Sequence, residues 1–132
     1  METKTGIVTV ASCYESGGQR AEELTASAVK ALEAKDITAV AASRTVWDAA
    51  DAIDVCRELK SQEVDSLTVI LSTWVTDSLL YVLVHEMQIP TVFWAVPYTE
   101  TFSIGCVQHF GSALTTHGIP FDYVYGLADE NA

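Results

Sequence analysis

The stretch Leu67-Thr68-Val69-Ile70-Leu71 decides the fold class, because it is apolar or β-branched throughout and carries no charge. An uninterrupted apolar strand of this kind is typical of a parallel sheet that is covered on both faces. Similar short runs occur on either side of it along the chain, at 7–11, 37–42, 91–96 and 123–125. We therefore predict five strands at these positions.

The segments between the strands predict helices, because apolar residues recur there at helical spacing. The predicted helices are 19–35, 47–62, 77–88 and 101–117. On the second helix, the face predicted to be buried carries Ala49, Ile53 and Cys56, followed by Leu59 or Lys60.

Strands and helices alternate along the whole chain, and this order implies right-handed βαβ units in a doubly wound sheet. We predict one α/β domain over residues 1–132. Its expected architecture is a Rossmann-like, flavodoxin-like three-layer sandwich with a parallel sheet of about five strands in the order 2-1-3-4-5.

Composition excludes several classes of protein. The chain has 132 residues, 49% of them hydrophobic and 19% charged, which is a globular composition. Its formal net charge of −11 disfavours nucleic acid as a partner, because phosphate backbones would be repelled.

The cysteines are odd in number and widely spaced, at Cys13, Cys56 and Cys106. They therefore predict reduced thiols rather than a disulfide framework or a zinc site. With no basic segment leading into an apolar run at the N-terminus, and no apolar run of ~18 residues, the sequence predicts a cytoplasmic protein without a membrane span.

Ligands of open parallel sheets bind where the strands end at their carboxyl side. The loops that should form this rim are 12–18, 43–47, 72–77, 97–101 and the segment from Gly126 onwards.

The first rim loop contains Ser16-Gly17-Gly18 and fits no strict motif. Its glycines do not match the dinucleotide fingerprint. A thiol-phosphatase loop would need an Arg six positions after Cys13, where Gln19 stands, and Arg20 comes one position too late. A flavodoxin-type phosphate loop, with amides at a helix N-terminus, remains open beside a purely structural glycine turn.

The rim loops after the third and fourth strands carry aromatic and hydrogen-bonding side chains. Trp74 either packs beneath its loop or offers a flat apolar wall on which the C–H face of a sugar could stack. Thr73 is either a helix-capping hydroxyl or a ligand contact. Tyr98 and Glu100 offer groups suited to hydroxyls, whereas Trp94, inside an apolar run, is predicted to lie in the core.

The segments 64–74 and 88–97, together with His117-Gly118-Ile119-Pro120 and the later Tyr125-Gly126, resemble the N-terminal domain of the L-fucose isomerase and L-arabinose isomerase family. The order of elements matches over nearly the whole chain.

The resemblance implies part of an aldose–ketose isomerase that works by an ene-diol route with a divalent metal such as Mn²⁺. In the family, the metal ligands and the acid–base carboxylates come from later domains, so these 132 residues alone are expected to be inactive and to bind no cofactor. The N-terminal domain helps to assemble a homo-oligomer and lends rim residues to the active site of a neighbouring subunit.

The resemblance also suggests which residues meet the sugar. Trp74 is the counterpart of a family aromatic residue after the third strand, and Tyr14 and Arg20 lie in the first loop, which approaches the sugar. With the rim residues considered above, the expected substrate-binding set is Trp74, Thr73, Tyr14, Arg20, Tyr98 and Glu100. Two alternatives stay open, namely a stand-alone sugar-binding or interaction domain and a flavodoxin-like binder of phosphate or flavin.

Overall fold

Five parallel strands form one sheet in the computed structural model, which describes residues 3–128. They are β1 (Lys4–Val10), β2 (Thr38–Ala41), β3 (Ser66–Leu71), β4 (Thr91–Ala95) and β5 (Asp122–Tyr125). The order across the sheet is β2-β1-β3-β4-β5, which confirms the predicted topology. β1 begins three residues before the predicted run, because Lys4 and Thr5 continue its pairing with β2.

Four α-helices connect the strands: α1 (Ala21–Glu33), α2 (Ala49–Ser61), α3 (Asp77–Met87) and α4 (Ser103–Thr116). A single 3₁₀ turn leads into α1 at Gly18–Arg20 and into α4 at Thr99–Thr101. The predicted helices 19–35 and 101–117 include parts of these two turns. Local i→i+3 bonds tighten the chain there, as in the bond from Arg20 N–H to the Gly17 carbonyl.

The helices lie in two layers around the sheet. α2, α3 and α4 cover one face, and their apolar side chains join β1, β3 and β4 in the larger core, which includes Leu59, Leu80 and Phe110. Among the described residues, α1 is the only α-helix on the opposite face, where Ala28 packs near Ile7 and Ile70. Within residues 3–128, this face is therefore left partly open beyond α1, over β4 and β5.

The predicted buried face of α2 is partly wrong. Ile53 is 42% exposed and Ala49 is exposed, whereas Ala52, Val55 and Cys56 are buried. Both sets of residues are apolar in the sequence, and the packing of α2 against the sheet decides which set is buried.

The predicted start of α2 is also too early. Val46 pairs with Val10 as an isolated parallel bridge, and its N–H donates to the Thr9 carbonyl at 2.9 Å. The chain therefore stays extended through Val46, and the helix begins only after Asp48.

Candidate functional site

The crevice between β1 and β3, where the strand order reverses, is filled by protein atoms. Ser72 Oγ donates to the Gly17 carbonyl at 2.6 Å, and both residues are buried. The Ser12 N–H donates to Thr73 Oγ1 at 2.8 Å. The loops after β1 and β3 are thus bonded directly to each other at the place where ligands of this fold class usually enter.

Thr73 holds this junction together. Its side chain is fully buried, and its hydroxyl accepts from Ser12 and donates to the Trp74 carbonyl at 2.9 Å. The structure therefore places Thr73 beneath the rim as a bridge between two loops. Tyr14, in contrast, is 92% exposed on the first loop and lies apart from the other predicted residues.

Trp74 is half-buried against the larger core. Its backbone N–H donates to the Thr101 carbonyl at 2.8 Å, which joins the loop after β3 to the 3₁₀ turn before α4. The side chain packs against the larger core, which agrees with the first of the two roles considered for it, and the ligand-wall role stays a prediction.

Arg20, Tyr98 and Glu100 form a compact cluster at the rim. The guanidinium carbon of Arg20 lies 3.8 Å from the centre of the Tyr98 ring, in a cation–π contact. Arg20 Nη2 also bonds to Glu100 Oε1 at 2.8 Å, although the two residues are 80 positions apart. The hydrogen bond from Arg20 lowers the pKa of the Glu100 carboxyl, so this carboxylate stays ionised. Arg20 Nη1 is buried and has no partner within residues 3–128.

Arg20 and Tyr98 of this cluster line the head of a groove of about 550 Å³, which we call the α1 groove. The groove runs along α1 and over the open part of the sheet, towards Gly126 and Ala128. Its apolar wall comes from α1, from the ends of β3 and β4, and from the segment after β5: Leu24, Ala28, Ala31, Ile70, Trp94, Val96 and Leu127.

Trp94 is the site residue that sequence reasoning placed elsewhere. It was predicted to lie in the core, but it is half-buried and lines the α1 groove. Its indole N–H donates to the Gly126 carbonyl at 2.9 Å, which fixes the orientation of the ring. The apolar run around Trp94 predicts burial. The sequence does not show that α1 covers only part of this sheet face.

A larger apolar depression of about 860 Å³ lies at the opposite end of the sheet. It is lined mainly by apolar residues of α3, α4 and the segments that lead into β4 and β5, including Tyr81, Ile89 and Phe121. We favour the α1 groove for a small polar ligand, because its head lies at the carboxyl ends of the strands and carries the charged cluster.

The cysteines offer no activated nucleophile in the core. Burial raises the pKa of the Cys56 thiol to about 11, with a smaller contribution from Glu86, and burial raises the pKa of the Cys106 thiol to about 11. Both thiols are therefore protonated near neutral pH. Cys13 is exposed, and all three cysteines are free.

The fold brings His109 next to a carboxylate. Its Nε2 lies 3.1 Å from Asp77 Oδ2 on the neighbouring helix α3. Residues 3–128 nevertheless bring no three His, Cys, Asp or Glu side chains into an arrangement that could hold a metal ion.

A scan of protein-family models and a search of curated proteins both found no match to this chain. Within the part of the chain that the structure describes, no helix is long and apolar enough to cross a membrane.

Proposed function

We propose that this domain binds a sugar in the α1 groove and serves as the substrate-covering, oligomer-forming N-terminal domain of an L-fucose/L-arabinose isomerase-like ketol isomerase. The observation that carries the proposal is the Arg20–Tyr98–Glu100 cluster at the head of an apolar groove walled by Trp94. The proposed setting is the cytoplasm, where the three free cysteines remain reduced.

The chemistry of the groove supports a polyhydroxylated ligand. Sugars present C–H faces that stack on aromatic rings, and hydroxyls that bond to charged groups. Trp94 and Tyr98 provide ring surface, while Arg20 and Glu100 provide a donor and an acceptor within 2.8 Å of each other. A cavity of about 550 Å³ is also within the size range of small-molecule sites.

The domain is not proposed to catalyse isomerisation alone. The reaction needs a proton to move between adjacent carbons and a carbonyl oxygen to be polarised. In this proposal the Mn²⁺ and the acid–base carboxylates belong to other domains, as the resemblance implies. The residues of this chain bind and orient the sugar and keep water from it, and they act in a homo-oligomer without nucleic acid or membrane.

A titration with L-fucose and L-arabinose tests sugar binding. Uniform ¹⁵N labelling resolves the indole N–H groups of the three tryptophans, Trp47, Trp74 and Trp94. We expect the Trp94 signal to shift saturably, with a smaller shift at Trp74, while that of Trp47 stays in place. The absence of a saturable Trp94 shift up to roughly 100 mM sugar, far above a millimolar Kd, would refute binding in this groove.

A matched pair of variants shows whether the cluster is responsible. Arg20→Ala removes the guanidinium from Tyr98 and Glu100, and the sugar affinity is expected to fall about tenfold or more, because hydrogen bonds to charged groups are the stronger ones. Arg57→Ala removes an exposed guanidinium on α2 and should leave the affinity unchanged. Equal affinities for the two variants would contradict a role for the cluster.

A further inference from the structure

The α1 groove is much longer than a single sugar ring. Its α1 wall extends from Arg20, directly before the helix, to Ala34, directly after it. The 13 residues of α1 span about 20 Å at 1.5 Å per residue. A pyranose ring with its hydroxyls has a length close to that of one helical turn, ~5 Å. A monosaccharide bound at the head of the groove therefore leaves most of its length unfilled.

The α1 wall carries a row of polar side chains along this length. Glu23, Ser27 and Lys30 follow Arg20 at spacings of three, four and three positions, and all of them line the groove. At this spacing the four residues lie within about 80° of the helix circumference. The Glu23 carboxylate accepts hydrogen bonds, the Lys30 ammonium donates them, and the Ser27 hydroxyl does both. We call these four residues the polar row.

The fold does not use the polar row beyond its head. Glu23, Ser27 and Lys30 are exposed, and their side chains form no hydrogen bond or ion pair with any residue between 3 and 128. The charges of Glu23 and Lys30 are opposite, and Arg20 is already paired with Glu100. The groove is therefore close to neutral, although the chain carries a net charge of −11. This balance favours a neutral, polyhydroxylated ligand over an acidic one.

The floor of the groove beside the polar row is apolar. Leu24, Ala28 and Ala31 form the neighbouring line on α1, on the side of the sheet. Ala28 is buried near Ile70, and the other two residues are half-buried. A sugar ring presents C–H groups on its faces and hydroxyls at its edge. It can therefore lie with a face on this floor and an edge against the polar row.

We propose that the α1 groove binds a neutral oligosaccharide of about three sugar units, which lies along α1 with its end unit at the head. The second unit lies beside Glu23. The third lies between Ser27 and Lys30, which are about 10 and 15 Å from Arg20 along the helix axis. This inference rests on the proposed function and deepens it, because the unit at the head takes the place of the monosaccharide considered above.

Two homologous series of saccharides test the dependence on length. They are L-arabinose with its 1→5-linked dimer and trimer, and D-xylose with its 1→4-linked dimer and trimer. In ¹⁵N spectra the Trp94 indole reports on the head of the groove, and the backbone amides of Ser27 and Lys30 report on its far part. We expect the trimer of at least one series to bind at least about tenfold more tightly than its monomer, because the added units bond to charged side chains. The Ser27 and Lys30 amides should shift with that trimer and not with the monomer.

A matched pair of variants assigns the gain in affinity to the polar row. The double variant Ser27→Ala/Lys30→Ala should reduce the affinity for the trimer to that for the monomer, while the affinity for the monomer stays unchanged. Alanine is the better helix former, so α1 is retained in this variant. Lys35→Ala removes an exposed ammonium that does not line the groove, and it should leave both affinities unchanged.

Three results would overturn the inference, and they are distinguishable. Trimers that bind no more tightly than monomers in both series would overturn it and leave the proposed monosaccharide site in place. A gain that persists undiminished in Ser27→Ala/Lys30→Ala would also overturn it, because the added units would then lie elsewhere. If no saccharide of either series shifts the Trp94 signal, the proposed function fails and the inference fails with it.

Discussion

At the scale of single residues, Gly17 decides how the loop after β1 meets β3. Its φ of +115° lies in the region that favours glycine. A Cβ added here would lie 2.7 Å from Thr101 Cγ2 and 2.8 Å from the Ser72 carbonyl oxygen. We expect Gly17→Ala to lower the free energy of unfolding by about 2–4 kcal/mol, through backbone strain and overpacking together. Urea unfolding measures this loss.

Gly105 provides the matched control for that substitution. It lies within α4, and a Cβ added there would meet nothing within 4 Å. Gly105→Ala should therefore raise the free energy of unfolding by about 0.5–1 kcal/mol, because alanine is the better helix former. If both alanine variants lost stability equally, the close approach of Gly17 to Ser72 would not be the cause.

At the scale of elements, α2 is the α-helix within residues 3–128 whose N-cap side chain accepts a hydrogen bond from the first turn. Asp48 Oδ1 accepts from the Asp51 N–H at 2.8 Å, and Asp51 Oδ2 accepts from the Trp47 N–H at 3.1 Å. This reciprocal arrangement resembles a capping box, and it begins the helix directly after the extended segment at Val46. We expect Asp48→Ala to lower the free energy of unfolding by about 1 kcal/mol.

The conservative variant Asp48→Asn checks that assignment, because asparagine keeps an acceptor oxygen at the cap. Its loss of stability should be less than half that of Asp48→Ala in the same urea unfolding measurement. Equal losses would mean that the negative charge near the helix N-terminus, rather than the hydrogen bond, is the source of the effect.

At the scale of the whole molecule, two buried thiols make stability depend on alkaline pH. The pKa values of Cys56 and Cys106 are raised to about 11 by burial in the core shared by α2, α3 and α4. A thiol in the unfolded chain has a pKa near 8.5, so the unfolded state releases these protons first. The stabilisation is fully present below about pH 8.5 and is lost as the pH rises towards 11.

The free energy of unfolding is therefore expected to fall between about pH 8.5 and pH 11. Urea unfolding over this interval measures the slope, and the double variant Cys56→Ala/Cys106→Ala should give a flatter one. The slopes are compared rather than the absolute stabilities, since removing two buried side chains also costs packing. An unchanged slope in the double variant would assign the alkaline loss to other groups.

Much of the fold follows from local patterns in the sequence. The uncharged stretch at Leu67–Leu71 predicts a buried parallel strand, and the alternation of strands and helices predicts the order that the sheet adopts. These features are predictable because a strand or helix is set by the spacing of neighbouring apolar residues, and because βαβ connections have one preferred hand. The sequence also placed Tyr98 and Glu100 at the rim from their positions after β4, and the family resemblance added Arg20.

Only the tertiary structure decided which contacts those rim residues make. It brought Arg20 onto the Tyr98 ring and against Glu100, buried Thr73 as a bridge between loops, and left Trp94 on a groove. It also chose the buried stripe of α2. These outcomes depend on how segments that are tens of residues apart in the sequence pack against each other, to within about an ångström. Because protein interiors are close-packed, the position of each side chain constrains the side chains that pack against it. By itself, therefore, the sequence determined the architecture, while the packing of α1 on only part of one sheet face left the α1 groove open.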